Sequence, residues 1–151
     1  MNEKLRKMKK IISAFILILL CIGISNCKKE RFTKFPTPSW QTMHPEKYPA
    51  SMTAVVRLSD ELNRKLSVND KMAAFIDEEC RGAGQMVVSD SGSVFFVLVH
   101  GAPSENDPVV FKYYSSRTSY MYTSQDTLNF EIDGNYGTVD RPKMLHMKVV
   151  K

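Results

Sequence analysis

The feature that most constrains the fold is an alternation of apolar and polar side chains that begins at Met52. In the stretch TAVVRL, Ala54, Val56 and Leu58 fall on one face and Arg57 falls on the other. The same alternation recurs in residues 128–132 and 145–149. Because successive side chains of an extended strand point to opposite faces, each stretch predicts a strand with one buried and one solvated face.

Further strands are predicted by their period at 72–76 and 80–88, by a continuous apolar run at 94–99, and by clusters of aromatic and β-branched residues at 109–115 and 119–124. VFFVLV at 94–99 is apolar throughout, which predicts a central strand covered on both faces. Polar, turn-forming stretches separate these runs. About eight short strands at roughly 8–12-residue spacing predict an all-β, antiparallel sandwich or barrel over residues 51–151. Only residues 59–66 (SDELNRKL) suit a helical turn, with Ser59 as its cap.

The first 26 residues have the pattern of a secretory signal peptide. Five Lys/Arg and one acid occupy residues 1–10, and an apolar run of 14 residues follows at 11–24. A membrane-spanning helix needs about 20 apolar residues. A basic start followed by a short apolar run therefore predicts a signal peptide. An N-terminal membrane anchor helix is the alternative.

The residues that end the apolar run, ISNC, resemble the signal of a bacterial lipoprotein. Ile24 and Ser25 fit its pattern of a branched apolar residue followed by a small one, and Asn26 stands where Gly, Ala or Ser is usual. The resemblance implies that cleavage makes Cys27 the lipidated N-terminal residue, with the membrane as its partner. Cys21 is a poor alternative, because two leucines precede it.

Removal of the signal changes both the thiol count and the charge. Cys80 becomes the one thiol besides Cys27, so no internal disulfide is expected. The whole chain carries +5, but residues 27–151 hold 16 basic and 15 acidic residues. A nucleic-acid surface needs a basic patch on the folded domain, and none is evident. We therefore expect no nucleic-acid partner.

Residues 27–50 are predicted to be a tether. Four prolines, at 36, 38, 45 and 49, favour extended or irregular backbone. Trp40 and Tyr48 are the large aromatic side chains of its second half. We expect both to pack onto the domain; the alternative is that Trp40 is exposed and binds a ligand.

The stretch AAFIDEECRGAGQ at 73–85 holds three acids, a cysteine and an arginine. Its pattern predicts a hairpin, with Asp77–Glu79 as the connection and a bulge or close backbone approach at Gly82 and Gly84. Catalysis by Cys80 would need a nearby base, and no histidine stands close in sequence. Adjacent acids on a strand point to opposite faces, which argues against a metal site. We therefore expect no cofactor and no resident metal here.

Five segments in order carry a family resemblance: MTAVV, NDKMAAFIDEECRG, VFFVLVHG, VFKYY and LNFEIDGNYGTVDRP. Together they resemble a small immunoglobulin-like β-sandwich module of secreted and lipid-anchored proteins from Bacteroidetes. That module has Ala-Ala-Phe, a turn, Glu-Cys-Arg-Gly and later Asp-Gly-x-Tyr-Gly. The resemblance spans about residues 40–145. It implies a lipid-anchored location at the outer membrane or cell surface of a Gram-negative envelope and a non-catalytic binding or adhesion role, with no catalytic residues to carry over.

Two further groups are candidate ligand sites. Asp133, Asn135 and Asp140 share a Gly-containing loop and are a weak calcium candidate, because calcium takes several oxygen ligands from a flexible loop; an ordinary turn is the alternative. Tyr120 and Tyr122 share a strand face. If exposed, they would stack on sugar rings or contact a protein partner; the alternative is cross-strand packing with neighbouring tyrosines in the core.

These observations favour a lipid-anchored, non-catalytic binding or adhesion module. Its partner would be a glycan or a surface protein, and a carbohydrate-binding module is the alternative within binding. A small hydrolase is the alternative from another class. It has no support from motifs, since SDSGS lacks the spacing of a hydrolase elbow and no P-loop or dinucleotide fingerprint is present.

Overall fold

The structure is a computed structural model that describes residues 31–42, 45–89 and 92–151, together with Glu3 and Lys7. Cys27 and His44, as well as the predicted signal peptide apart from Glu3 and Lys7, lie outside the described residues. The chain divides into one unit of residues 1–31 and a second of residues 32–151. No helix in the described part of the chain is long and apolar enough to cross a membrane.

Eleven strands belong to the described part of the second unit. They are β1 Ala50–Leu58, β2 Lys71–Ile76, β3 Glu79–Ala83, β4 Gln85–Ser89, β5 Gly92–Gly101, β6 Pro108–Ser115, β7 Tyr120–Ser124, β8 Leu128–Asn129, β9 Asn135–Tyr136, β10 Lys143–Leu145 and β11 Met147–Val149. A 3₁₀ turn at Pro45–Lys47 precedes them, and the short helix α1 spans Asp60–Asn63.

The strands form two sheets. Sheet A has the order β10-β1-β5-β4, with β9 also paired to β1, and sheet B has the order β11-β7-β6-β2-β3, with β8 paired to β6. β1 runs parallel to β9 and β10, and the other pairs are antiparallel. The prediction of an all-β sandwich is confirmed as two packed, largely antiparallel sheets.

The alternation read from the sequence defines the core. The inward residues of β1, from Met52 to Leu58, pack with those of β2, β5 and β6 in one buried cluster. Burying a large aliphatic or aromatic side chain contributes about 1.5–3 kcal/mol, so this cluster supplies most of the stabilisation that holds the sheets together.

One prediction about β5 is wrong. This strand is central in sheet A, but its outer face is covered only at Val94, which is 3% exposed. Phe95, Val97 and Val99 are buried, whereas Phe96 and Leu98 on the outer face are 39% and 43% exposed. The apolar run therefore reflects an apolar outer surface and not a second covering layer.

Two predicted strands are each divided between the sheets. Residues 80–88 become β3 in sheet B and β4 in sheet A, with Gly84 between them. Residues 145–149 divide at His146, whose N–H donates to Asp126 Oδ2 at 2.6 Å and whose carbonyl accepts from Gln125 N at 2.8 Å. Both hydrogen bonds lie outside a sheet ladder, which is why the strand cannot continue there.

The predicted strand at 128–132 is mostly a turn. Only β8 pairs, and the backbone then turns through Asp133, which has a positive φ of 55°. Gly134 N donates to Glu131 O at 3.0 Å and closes this turn. The predicted helical turn is present as α1. Ser59 stands at its N-cap, but its side chain makes no capping hydrogen bond.

The acidic hairpin turns through two residues. Asp77 and Glu78 have φ of 48° and 63°, the pattern of a type I′ turn between two strands. The register then shifts, since Ala74 pairs with Gly82 while Phe75 pairs with Cys80. This β-bulge leaves the intervening arginine out of the ladder and changes the direction of its side chain.

Arg81 is that bulged residue, and it is buried in an ion cluster. Its guanidinium donates to both carboxylate oxygens of Glu105 at 3.0 Å. The guanidinium also lies 3.5 Å from the centroid of the Tyr48 ring, and Tyr48 Oη donates to Glu79 at 2.6 Å. The cluster therefore joins β3, the β5–β6 loop and the segment before β1.

Residues 32–42, which we call the strap, lie along sheet B. Phe35 N donates to Ser119 O at 2.8 Å, and Thr37 shares a hydrogen bond of 3.3 Å with the Tyr114 hydroxyl. Trp40 packs edge-on against Phe75, with ring centroids 5.7 Å apart. The strap has no regular secondary structure, as its prolines predict, and the expected packing of Trp40 and Tyr48 is confirmed.

Candidate ligand-binding cleft

A cleft of about 440 Å³ opens beside β7. It is bordered by the start of the strap, α1 and the residues that flank it, the end of β6, the β6–β7 turn, and β11. Its lining residues are Phe32, Ser59, Glu61, Leu62, Lys65, Tyr113, Ser115, Arg117, Thr118, Tyr120, Tyr122, Met147 and Val149. Its size is within the range of small-molecule sites, which are usually apolar concavities with a few polar groups.

Two tyrosines form the base of the cleft. Tyr113 on β6 and Tyr122 on β7 are directly paired, so their side chains share the face toward sheet A. Their ring centroids lie 5.5 Å apart, and Tyr113 is fully buried. The expected cross-strand packing of tyrosines is thus present, and it also supplies an aromatic surface to the cleft.

A buried carboxylate fixes this base. Asp70 accepts hydrogen bonds from Tyr113 Oη at 2.6 Å and from Ser67 N at 2.9 Å. Its other oxygen accepts from Ser116 N at 2.8 Å and Ser116 Oγ at 2.7 Å. Burial, together with the hydrogen bond to Asp70, raises the pKa of Tyr113 far above its ordinary value. Asp70 therefore orders both the cleft base and the β6–β7 turn.

The rim carries aromatic and charged side chains. Phe32 of the strap lies edge-on to Tyr120, with centroids 5.5 Å apart. Lys65 pairs with Glu61 at 3.0 Å one helical turn away. Arg117 is exposed on the β6–β7 turn and has no hydrogen-bond or ion-pair partner within the described part of the chain.

Hydroxyl groups are frequent in the lining. Ser59, Ser115 and Thr118 add to the phenols of Tyr120 and Tyr122. Burial raises the pKa of Tyr122, with a hydrogen bond from Thr118 acting in the opposite direction. This phenol is therefore protonated at neutral pH and can donate a hydrogen bond.

The three predicted ligand-binding residues do not share one site. Tyr120 and Tyr122 line the cleft, on the face of sheet B that points toward sheet A. Trp40 lies on the opposite face of sheet B, against Ala73, Phe75 and Cys80. A smaller concavity of about 180 Å³ borders Trp40 there.

The calcium candidates occupy exposed positions that are not joined to one another. Asp133 is in the turn after Phe130, Asn135 begins β9 and Asp140 is in the following loop. No group of three or more His, Cys, Asp and Glu side chains in residues 31–42, 45–89 and 92–151 is arranged to hold a metal ion. Calcium binding at these three residues stays a prediction.

The acids and thiol of the hairpin have structural contacts. Glu78 pairs with Lys112, and Glu79 accepts the Tyr48 hydroxyl, while Asp77 is exposed at the turn. Cys80 is buried, and this burial raises the pKa of its thiol. A thiol with a raised pKa is a weak nucleophile, because the thiolate is the reactive form.

Comparisons with models of protein families, with curated proteins and with solved structures found no match for the chain.

Several cleft residues could not be identified from the sequence. Phe32 falls in the predicted tether, and Arg117 falls in a polar turn with no motif around it. Their common site forms because the strap and the β6–β7 turn meet, a contact between residues more than 80 positions apart in the chain. The tyrosine-rich pattern of β6 and β7 was the available signal, and it identified Tyr120 and Tyr122.

Proposed function

We propose that the protein is a lipid-anchored protein of the cell envelope and acts as a non-catalytic binding or adhesion module whose ligand occupies the cleft beside β7. The observation that carries this proposal is the cleft itself, with partly exposed aromatic side chains over a base ordered by Asp70. A partly exposed aromatic surface next to a rigid base suits recognition, because little conformational freedom is lost when a ligand binds.

Carbohydrate is the ligand class that the lining supports best. The C–H face of a sugar ring is apolar and packs on aromatic rings such as Tyr120. Its hydroxyls need donors and acceptors at the edge of the ring, and the lining supplies Ser59, Ser115 and Thr118.

A glycan array tests the binding proposal, with the full chain in detergent micelles. We expect binding that is lost in Tyr120→Ala and kept in Phe96→Ala, which removes a ring exposed on the outer face of sheet A. Absence of glycan binding would count against carbohydrate recognition. Cleavage of a bound glycan by the protein would contradict the non-catalytic assignment and favour the hydrolase alternative.

The anchor proposal has a separate test. Cys27→Ser should abolish labelling with a lipid precursor and release the protein from the membrane fraction. Cys21→Ser is the matched control and should change neither. Labelling that persists in Cys27→Ser would contradict the assignment of the anchor.

A further inference from the structure

We propose that the ligand of the cleft is an acidic saccharide, whose carboxylate pairs with Arg117 while its sugar ring lies against Tyr120. This inference rests on the proposed function and adds the charge of the ligand and the residue that selects for it. Three observations support it: the charge of Arg117 on the rim, unpaired among the described residues; the hydrogen bonds that hold the β6–β7 turn in place; and the hydroxyl groups in the lining.

Among the described residues of the rim, one positive charge is not neutralised locally. Glu61 and Lys65 pair with each other, so their charges largely cancel. Arg117 lines the same cleft and has no ion-pair partner in the described part of the chain. A guanidinium is planar, always charged and matched to a carboxylate by two parallel N–H groups, so an acidic ligand is favoured over a neutral one.

The turn that carries Arg117 is held from two sides. The preceding residue, Ser116, donates two hydrogen bonds to the buried carboxylate of Asp70. On the other side, Ser119 N donates to Ser115 O at 2.8 Å, and Ser119 O accepts from Phe35 N of the strap at 2.8 Å. An ordered backbone lowers the entropy that Arg117 loses when it pairs with a ligand.

The hydroxyl groups favour a saccharide over another organic acid. The Tyr113 hydroxyl already donates to Asp70, but Ser59, Ser115 and Thr118 also contribute hydroxyl-bearing side chains to the lining. Ser59 makes no capping hydrogen bond, so a flat aromatic or aliphatic acid would leave its hydroxyl without a partner once it displaced water, which is unfavourable. A polyol ring supplies a hydroxyl to match it and an apolar face to pack on Tyr120.

The test compares matched methyl glycosides that differ only at C6, as a uronate or as the neutral hexoside. Gluco, galacto and manno pairs are titrated against the full chain in detergent micelles, at about 0.05 M and about 0.5 M salt. We expect at least one uronate to bind about fivefold tighter than its hexoside at low salt, with the preference reduced at high salt.

Variants locate the charge. Arg117→Gln should remove the preference for the uronate, because it weakens uronate binding more than hexoside binding. Arg141→Gln is the matched control, because Arg141 is exposed and does not line the cleft, and it should keep the preference. Tyr120→Ala should weaken both ligands, in a protein whose melting temperature confirms that it is folded.

The outcomes separate this inference from the proposed function. Equal binding of uronate and hexoside overturns the acidic ligand, and a preference that survives in Arg117→Gln overturns the role of Arg117; hexoside binding lost in Tyr120→Ala would still support the saccharide cleft. Failure of every pair to bind overturns both. A preference that is lost equally in Arg141→Gln would show that net charge, and not Arg117, is responsible.

Discussion

Glu105→Gln should be one of the most destabilising single changes in the sandwich. The side chains of Arg81 and Glu105 are only 5% and 9% exposed, so both charges have lost most of their water. Their two hydrogen bonds of 3.0 Å replace that hydration, and Glu105 also accepts from Ala102 N at 2.7 Å. Replacing the carboxylate with an amide keeps the shape but leaves the guanidinium buried without its main counter-charge.

The size of the effect follows from what remains around Arg81. Removing one partner of a buried ion pair costs about 3–5 kcal/mol. Glu79, whose carboxylate is 3.5 Å from Arg81 Nε, and the Tyr48 ring still favour the charge, so we expect a loss near about 3 kcal/mol. At roughly 3–5 °C per kcal/mol for a domain of this size, the melting temperature should fall by about 10 °C.

Urea unfolding of the full chain, followed by circular dichroism, measures this loss directly. Glu131→Gln is the matched control, since Glu131 is exposed and should change stability by less than about 0.5 kcal/mol. The double change Arg81→Met with Glu105→Leu should be less destabilising than Glu105→Gln, because no charge stays buried. If Glu105→Gln is as stable as the control, the ion pair does not support the fold as described.

Three further changes test other parts of the structure. Gly82→Ala should prevent stable folding, because a Cβ atom there would lie 2.1 Å from the carbonyl oxygen of Leu98; soluble yield and melting temperature measure this. Trp40→Ala should accelerate the reaction of Cys80 with a thiol reagent, because Trp40 packs on the cluster that buries this thiol. Asp126→Asn should reduce the stability of the protein at neutral pH and weaken the dependence of stability on pH in acid. The reason is that hydrogen bonds from the backbone N–H and the ring of His146 lower the pKa of Asp126.

Because the pKa of Asp126 is lower in the folded state, its carboxylate stabilises the protein at pH values above 3.8, the ordinary pKa of this group. This contribution is lost as the pH falls through the folded-state pKa. Asp140→Asn should show neither change. Normal folding of Gly82→Ala would contradict the close approach of Gly82 to Leu98. For Trp40, the double variant Trp40→Ala/Cys80→Ser is the control: if it reacts with the thiol reagent as fast as Trp40→Ala does, the reacting thiol is not Cys80.

Much of the fold can be predicted from the local sequence pattern, because a strand with one covered face must alternate apolar and polar side chains. β1 is predicted well for this reason, and its inward residues are those of the pattern. The same logic fails for β5, since Phe96 and Leu98 give an apolar run on an uncovered face. It also fails to show which sheet a strand joins. The changes of sheet at Gly84 and His146 depend on contacts with distant segments, which leave no periodic signal.

The candidate site shows the same division. Tyr120 and Tyr122 are evident from composition, because aromatic residues at an interval of two share a strand face. Phe32 and Arg117 reach the cleft only through tertiary contacts with residues distant in the chain. Arg81 lies between these two cases. Its position in the hairpin can be predicted from the sequence, but its burial depends on a β-bulge that the alternation of side chains does not predict.

If Cys27 carries the proposed lipid, the docked strap limits the distance between the cleft and the membrane. Five peptide steps separate Cys27 from Phe32, the first residue of the strap. Fully extended, five residues span at most about 18 Å. With lipid on Cys27, the rim formed by Phe32 and Tyr120 would remain within about 2 nm of the bilayer. Under the proposed function, the protein would then bind saccharides at the surface of its own membrane, where the short covalent connection gives a high effective concentration.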